Sequence, residues 1–372
     1  MARIAMIDDL IHPALLKQEI GASYLLMQDE FRNIPQPTSD RYTHGTLVTK
    51  VFESYATQYE IINVAILEDW AKQKVIPSDT LKKALEFCLQ IDVDAINISV
   101  GTQRLSDIRF VGQALKAVSD ANIPIIAACS NDWYRTIPAS CQSVFGVVAD
   151  QKNTLHPGQY IVQDDCYLGA NFVANYELSV PQAKRFVPSN SLATPVVTAK
   201  VNQLINAGVK TIAQLMGHLN SNAIHKVLSI QSEGHHTVNM NDIPVVCVVD
   251  IFSQNPVGQI ELLNVFSKHG YETMALSELD EVDDVRVLSL CKLHEMSFSK
   301  IKQCIIKSSK CNVVIAFISG QTAPAIQSLV YDVLVSSRPV SWTNLQPSED
   351  ACNVKIVSEN AEEVYNAIMK VV

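Results

Sequence analysis

The chain has 372 residues, of which 48% are apolar and 18% charged, enough for two packed cores and against a largely disordered chain. Its net charge of -9, with no basic run, argues against nucleic-acid binding, because phosphate contacts need clustered Lys and Arg. No run of about 18 apolar residues predicts a membrane span, so no membrane partner is expected.

Residues 3–7 and 60–66 read as short buried strands, the first ended by Asp8-Asp9. A helix is predicted over 79–90, where Thr80, Leu81, Ala84, Leu85 and Cys88 share a face. A strand around 94–100, a helix around 109–121 and a strand at 124–129 follow. Residues 151–190 read as loops and short strands. Strand and helix alternate in units of about 30 residues, which predicts a doubly wound parallel sheet with helices on both faces.

A polar, non-periodic stretch at 229–242 reads as a linker and divides the chain into domains at 1–228 and 243–372. Beyond it the pattern predicts a strand at 243–252, a helix at 258–269, helices across 283–308 and a strand at 311–318. A helix at 324–336, a strand at 353–357 and a helix at 360–371 complete a smaller, Rossmann-like α/β domain. The segment from Pro244 to Gly258 resembles the strand, loop and helix that open a phosphate-binding loop. Gln259 stands where the lysine is needed, so docking, dimerisation or substrate recruitment is the favoured role, homo-oligomerisation included.

Nine cysteines without CxxC pairing read as reduced thiols, hence a cytoplasmic chain. Cys304 and Cys311 stand seven apart on a predicted helix and could share a face, but no third ligand is near. Neither a metal nor a cofactor is expected.

Four residues share a placement that carries chemistry. Asp8 ends a buried strand, His44 precedes an apolar helix in Thr43-His44-Gly45-Thr46, Asn131 follows a buried strand, and Ser191 opens a helix. Functional groups in doubly wound sheets collect at strand carboxyl ends and helix N-termini. A serine hydroxyl becomes a nucleophile when an imidazole takes its proton, and a carboxylate orients that imidazole. Asn131 could donate to a developing oxyanion, and Pro195 is expected in the first turn of the serine's helix. Taken singly, such an Asp reads as a turn residue and such a Ser as a helix cap.

Together, the segments resemble the subtilisin-like serine proteases, whose order is Asp, His, Ser. Ile7-Asp8, His44-Gly45-Thr46, Asn97-Ile98-Ser99-Val100-Gly101, Ala127-Ala128-Cys129-Ser130-Asn131 and Ser191-Leu192-Ala193-Thr194-Pro195 carry the resemblance, over about residues 1–215. It implies a serine endopeptidase with Asp8, His44 and Ser191 as triad and Asn131 as oxyanion donor. It further implies a cleft lined by Ser99, Val100, Gly101, Ala127, Ala128 and Cys129, taking an extended peptide by strand pairing. A peptide or protein substrate follows, with a ribosomally made precursor peptide as one candidate. Ser189 and Asn190 replace the usual Gly-Thr before the nucleophile, Asp9 stands where Ser or Thr is usual, and only seven residues precede Asp8, so no pro-segment is expected. A degenerate, peptide-binding copy acting through its C-terminal domain is the alternative reading.

Overall fold

The computed structural model describes residues 1–36, 42–70, 79–165, 168–178, 180, 189–224, 243–280, 282–293, 296–319, 329–337, 340, 345–356 and 358–371, with side chains 164 and 165 left aside. The chain divides into two compact units. The linker expected at 229–242 lies outside the described residues. Among the described residues no helix is long and apolar enough to cross a membrane.

The larger unit is built on a nine-stranded sheet of β1 (Ala2–Asp9), β2 (Ala22–Met27), β3 (Glu30–Asn33), β4 (Tyr59–Leu67), β5 (Ala95–Ile98), β6 (Ile125–Ala128), β7 (Val144–Ala149), β8 (Tyr160–Asp165) and β9 (Ala170–Ala174). Its order is β3-β2-β4-β1-β5-β6-β7-β9-β8. The strands from β2 across to β9 run parallel, and β3 and β8 add antiparallel edges. The inner strands are apolar on both faces, as a sheet covered on both sides requires; β1, β4, β5, β6 and β7 are buried almost throughout.

The helices are α1 (His44–Tyr55), α2 (Thr80–Cys88), α3 (Ile108–Asp120), α4 (Asn190–Asn206) and α5 (Ile212–Asn222). α2 and α3 bury one stripe each, whereas α4 is buried nearly all round, a central helix packed on α1 and on β5, β6 and β7. From β1 the chain first builds toward β2 and β4, then crosses to β5. The carboxyl ends of β1, β4 and β5 therefore meet at the switch point, where open α/β sheets form crevices. The α/β class expected from the sequence is observed.

The smaller unit carries a six-stranded sheet of β10 (Val245–Val249), β11 (Thr273–Ser277), β12 (Val287–Ser289), β13 (Val313–Ile318), β14 (Leu329–Ser336) and β15 (Leu345–Lys355), ordered β12-β11-β13-β10-β14-β15 and parallel throughout. Its helices are α6 (Pro256–Lys268), α7 (Phe298–Ser308) and α8 (Ala361–Ile368). The loop before α6 is closed on itself. Asn255 caps Gly258 N–H at 2.9 Å, and the Phe252 ring lies where a Cβ on Gly258 would stand.

Three expectations are corrected here. Residues 329–336 are strand β14, not part of a helix: Leu329, Val330, Val333 and Leu334 stand at helical spacing, yet the run is β-branched and pairs with β10 and β15. The helices predicted across 283–308 reduce to α7 and a short turn, because Val287–Ser289 pairs with β11 and Arg286 is buried on Asp284 at 2.6 Å. α7 also ends at Ser308, so Cys311 is not on the helix of Cys304.

Candidate active site

α1 begins at His44 because Thr43 caps it, accepting from Thr46 N–H at 3.3 Å while its own hydroxyl donates to Leu10 C=O at 2.5 Å. That cap sets His44 directly over the end of β1. His44 Nδ1 lies 2.8 Å from Asp8 Oδ1 and 2.9 Å from Oδ2, and Nε2 lies 2.9 Å from Ser191 Oγ. Because a carboxylate only accepts, the proton sits on Nδ1. Nε2 is then left to accept from the Ser191 hydroxyl. The structure thus joins three residues that the sequence separates by 36 and 147 positions.

Asp8 and Asp9 are both buried. Asp9 points the other way from Asp8: Oδ1 accepts from Gly45 N at 2.6 Å, and Oδ2 accepts from His44 N at 3.3 Å and Trp70 N at 3.2 Å. It anchors the first turn of α1, where orphan N–H groups and the helix dipole favour an anion. Burial, then the neighbouring Asp8 charge, push the Asp9 carboxyl up to about 6 against those donors. Burial works against a charged ring at His44, but the Asp8 charge and hydrogen bond, with the Asp9 charge, outweigh it. His44 is raised above its ordinary value.

Ser191 is the second residue of α4 and lies in its open first turn. Ser189 Oγ stands 2.9 Å from Ser191 Oγ, and Ser189 N donates to the Tyr176 hydroxyl at 3.1 Å. With the Ser191 proton committed to His44, the Ser189 hydroxyl donates to Ser191 Oγ. Pro195 is not in the first turn as expected but inside α4, where it cannot return a hydrogen bond to the Ser191 carbonyl four residues earlier.

Asn131 is exposed, and its Oδ1 accepts from Asn190 N–H at 2.9 Å. This bond orients the amide, since a backbone N–H can meet only the oxygen, and it leaves the Nδ2 hydrogens directed away from Asn190 N–H. The Asn190 side chain is buried and clamps the preceding loop. Nδ2 donates to Cys129 C=O at 3.1 Å and Ser130 C=O at 3.0 Å, and Oδ1 accepts from Ala149 N at 2.8 Å.

Ser99 follows β5 and accepts from Asn97 Nδ2 at 3.2 Å, while Asn97 Oδ1 accepts from Thr198 on α4 at 2.8 Å. Val100 is buried and Gly101 exposed, and Thr102 bridges to Ile137. Ala127 departs from the strand-pairing expectation. Ala127 is paired on both sides, with Ile98 and Gly146, and Ala128 pairs with Val147. Cys129 N donates to Val147 C=O, on the β7 side, and its carbonyl accepts from Asn190 Nδ2. The sequence reading did not single out Trp70, whose indole reaches Asp8, nor the clamp formed by Asn190; neither carries a spacing signal. Among the described residues no cluster of His, Cys, Asp and Glu could hold a metal.

No protein-family model matches the chain, and no curated protein matches it. Solved structures that are similar to it include the prenylagaramide maturation protease PagA, 19% identical over 63% of this chain and 87% of that one, with a TM-score of 0.45. A cold-adapted subtilisin-like serine proteinase is 19% identical over 61% of this chain and 84% of that one, with a TM-score of 0.43. The epidermin leader peptide processing serine protease EpiP of Staphylococcus aureus is 15% identical over 59% of this chain and 66% of that one, with a TM-score of 0.39.

Proposed function

We propose that the chain is a subtilisin-like serine endopeptidase that hydrolyses peptide bonds in a peptide or protein substrate. The observation that carries this reading is the continuous relay from Asp8 through His44 to Ser191, with contacts of 2.8 and 2.9 Å. In the first step Ser191 Oγ bonds to the scissile carbonyl carbon as its proton passes to His44 Nε2. Asp8 holds the ring and stabilises the imidazolium. The carbonyl oxygen, now an anion, is received by Asn131 Nδ2 and the Ser191 backbone N–H. His44 then gives the proton to the leaving nitrogen as the C–N bond breaks, and water reverses the sequence on the acyl ester, activated by the same imidazole.

The Ser189 hydroxyl adds a donor to Ser191 Oγ, which steadies the alkoxide character that develops during attack. Ser99, Val100 and Gly101 receive the extended substrate. Domain bounds near 1–228 and 243–372, a cytoplasmic location and a docking or dimerising role for the smaller unit belong to the same proposal. A ribosomally made precursor peptide is the first substrate to test.

A fluorophosphonate probe tests the reading directly, since it reacts only with an activated serine. Labelling of the native chain that disappears in Ser191→Ala and in His44→Ala supports it. Absence of labelling in the folded chain would overturn it in favour of a peptide-binding copy without activity.

A further inference from the structure

Trp70 follows β4 by three residues, at the switch point of the larger sheet. Its indole Nε1–H donates to Asp8 Oδ1 at 3.0 Å, and its backbone N–H donates to Asp9 Oδ2 at 3.2 Å. Asp8 Oδ1 also receives Asp9 N–H at 2.8 Å. The two carboxylates and the tryptophan therefore close a ring of contacts: Asp8 to Asp9 along the chain, Asp9 to the Trp70 backbone, and the Trp70 side chain back to Asp8.

The ring accounts for two features that packing does not. Trp70 is only partly buried, yet its single polar atom is the one turned inward onto a buried carboxylate. An indole N–H turned inward needs an acceptor, and here the acceptor is the carboxylate oxygen that also meets His44. Asp8 Oδ1 collects donors from Asp9 and Trp70 besides His44, whereas among the described residues Oδ2 faces His44 alone. Turning the carboxylate about its own axis would break both of these contacts, so the plane it offers to His44 is set from behind.

We infer that Trp70 is a positioning residue for the Asp8–His44 pair, its indole N–H fixing the plane of the Asp8 carboxylate while its backbone N–H holds Asp9 against the start of α1. The inference deepens the peptidase reading, on which its kinetic consequences rest, but its geometric content concerns the orientation of His44 alone. Removing the indole donor leaves Asp8 with less of its charge dispersed, so it acts more strongly on the imidazole and raises the pH at which His44 loses its proton. The charged groups that bear on His44 among the described residues are Asp8 and Asp9, both on β1.

The test is Trp70→Phe, which keeps an aromatic ring and loses the N–H, paired with benzothienylalanine at position 70, which keeps the indole shape with sulfur in place of N–H. For both, kcat on a fluorogenic peptide is expected to fall about 5- to 20-fold, with KM within twofold of the native value. The acid limb of the pH profile is expected to move upward. In proton NMR the low-field His44 Nδ1–H resonance is expected to shift or broaden in both. Native kcat, profile and resonance in the folded benzothienylalanine protein would overturn the assignment, whatever the fate of Trp70→Phe. If the fluorophosphonate does not label the native chain, the peptidase reading fails, and the His44 resonance still decides whether Trp70 orients the ring.

Discussion

His44 Nε2 lies 2.9 Å from Ser191 Oγ across 147 residues of chain, and the same imidazole is held by Asp8 on its other nitrogen. A ring in this position accepts the serine proton only when neutral. Because Asp8 and Asp9 raise His44 above its ordinary value of 6.5, the neutral fraction grows as pH rises through that higher value. Activity is therefore expected to climb with pH, with the acid limb of kcat/KM centred above 6.5. A profile measured on a fluorogenic peptide checks this, and a midpoint at or below 6.5 would count against the Asp8 pairing.

Among the described residues, Asn131 is set by the hydrogen bond of its Oδ1 to the Asn190 N–H. If Nδ2 receives the oxyanion, Asn131→Ala should lower kcat by about 10²–10³ and leave KM within a few-fold, because the charge exists only in the transition state. Stability should barely change, since the side chain is exposed. Single-turnover acylation measures this, and a loss confined to KM would assign Asn131 to substrate binding instead.

How much of this was legible in the sequence depends on where the information sits. Asp8, His44, Asn131 and Ser191 announce themselves locally, each beside a strand end or a helix start with a recognisable neighbourhood. Trp70 does not: it meets Asp8 from 62 residues away, and only the pairing of β1 with β4 brings them together. The β2–β3 hairpin escaped notice because its turn is Gln28-Asp29, both at positive φ, instead of the Asn-Gly that usually marks such a turn. β14 was hidden for the opposite reason, since its apolar residues satisfy a helical period and only its neighbours β10 and β15 decide the matter. The long burial of α4 likewise removes the amphipathic stripe that would have drawn its limits, and with them the position of Pro195.

Asn190 ties three backbone groups on two strands' ends to the nucleophile's helix. Asn190→Ala removes the side-chain hydrogen bonds to the buried Ala149 N–H and to the Cys129 and Ser130 carbonyls. The expected loss is about 1–3 kcal/mol, the cost of the buried Ala149 N–H losing its side-chain acceptor. Because the backbone N–H that holds Asn131 remains, but its loop is loosened, kcat should fall while fluorophosphonate labelling persists at a lower rate. Urea unfolding and labelling kinetics together check both halves, and native stability would show that water replaces the clamp at no cost.

Gly45 is demanded by the approach of α1 to β1. A Cβ there would stand 2.8 Å from the Asp9 carbonyl oxygen and 3.1 Å from Asp9 Oδ1, and neither backbone nor an anchored carboxylate can yield. Gly45→Ala should push His44 off Asp8 and lower labelling by at least tenfold, with a thermal midpoint several degrees lower. Labelling at the native rate would mean that α1 slides without disturbing the relay.

Asp9 carries a dependence of opposite character to its structural role. Its folded carboxyl is raised from 3.8 to about 6, so the folded chain holds this proton more tightly than the unfolded chain. Between those values the folded state binds more protons, and stability falls as pH rises. His44 adds to the same trend at higher pH: raised above 6.5, it stabilises the fold while charged and loses that contribution as pH passes its folded value. Asp9→Asn removes the first contribution and reduces the second, since the Asp9 charge helps to raise His44, at a fixed cost for turning an amide toward the N–H groups of Gly45, His44 and Trp70. The unfolding free energy of Asp9→Asn relative to the native chain should therefore improve from pH 4.5 to pH 7. Urea melts at the two pH values measure that difference, and a difference that stayed flat would mean that Asp9 keeps an ordinary carboxyl despite its burial beside Asp8.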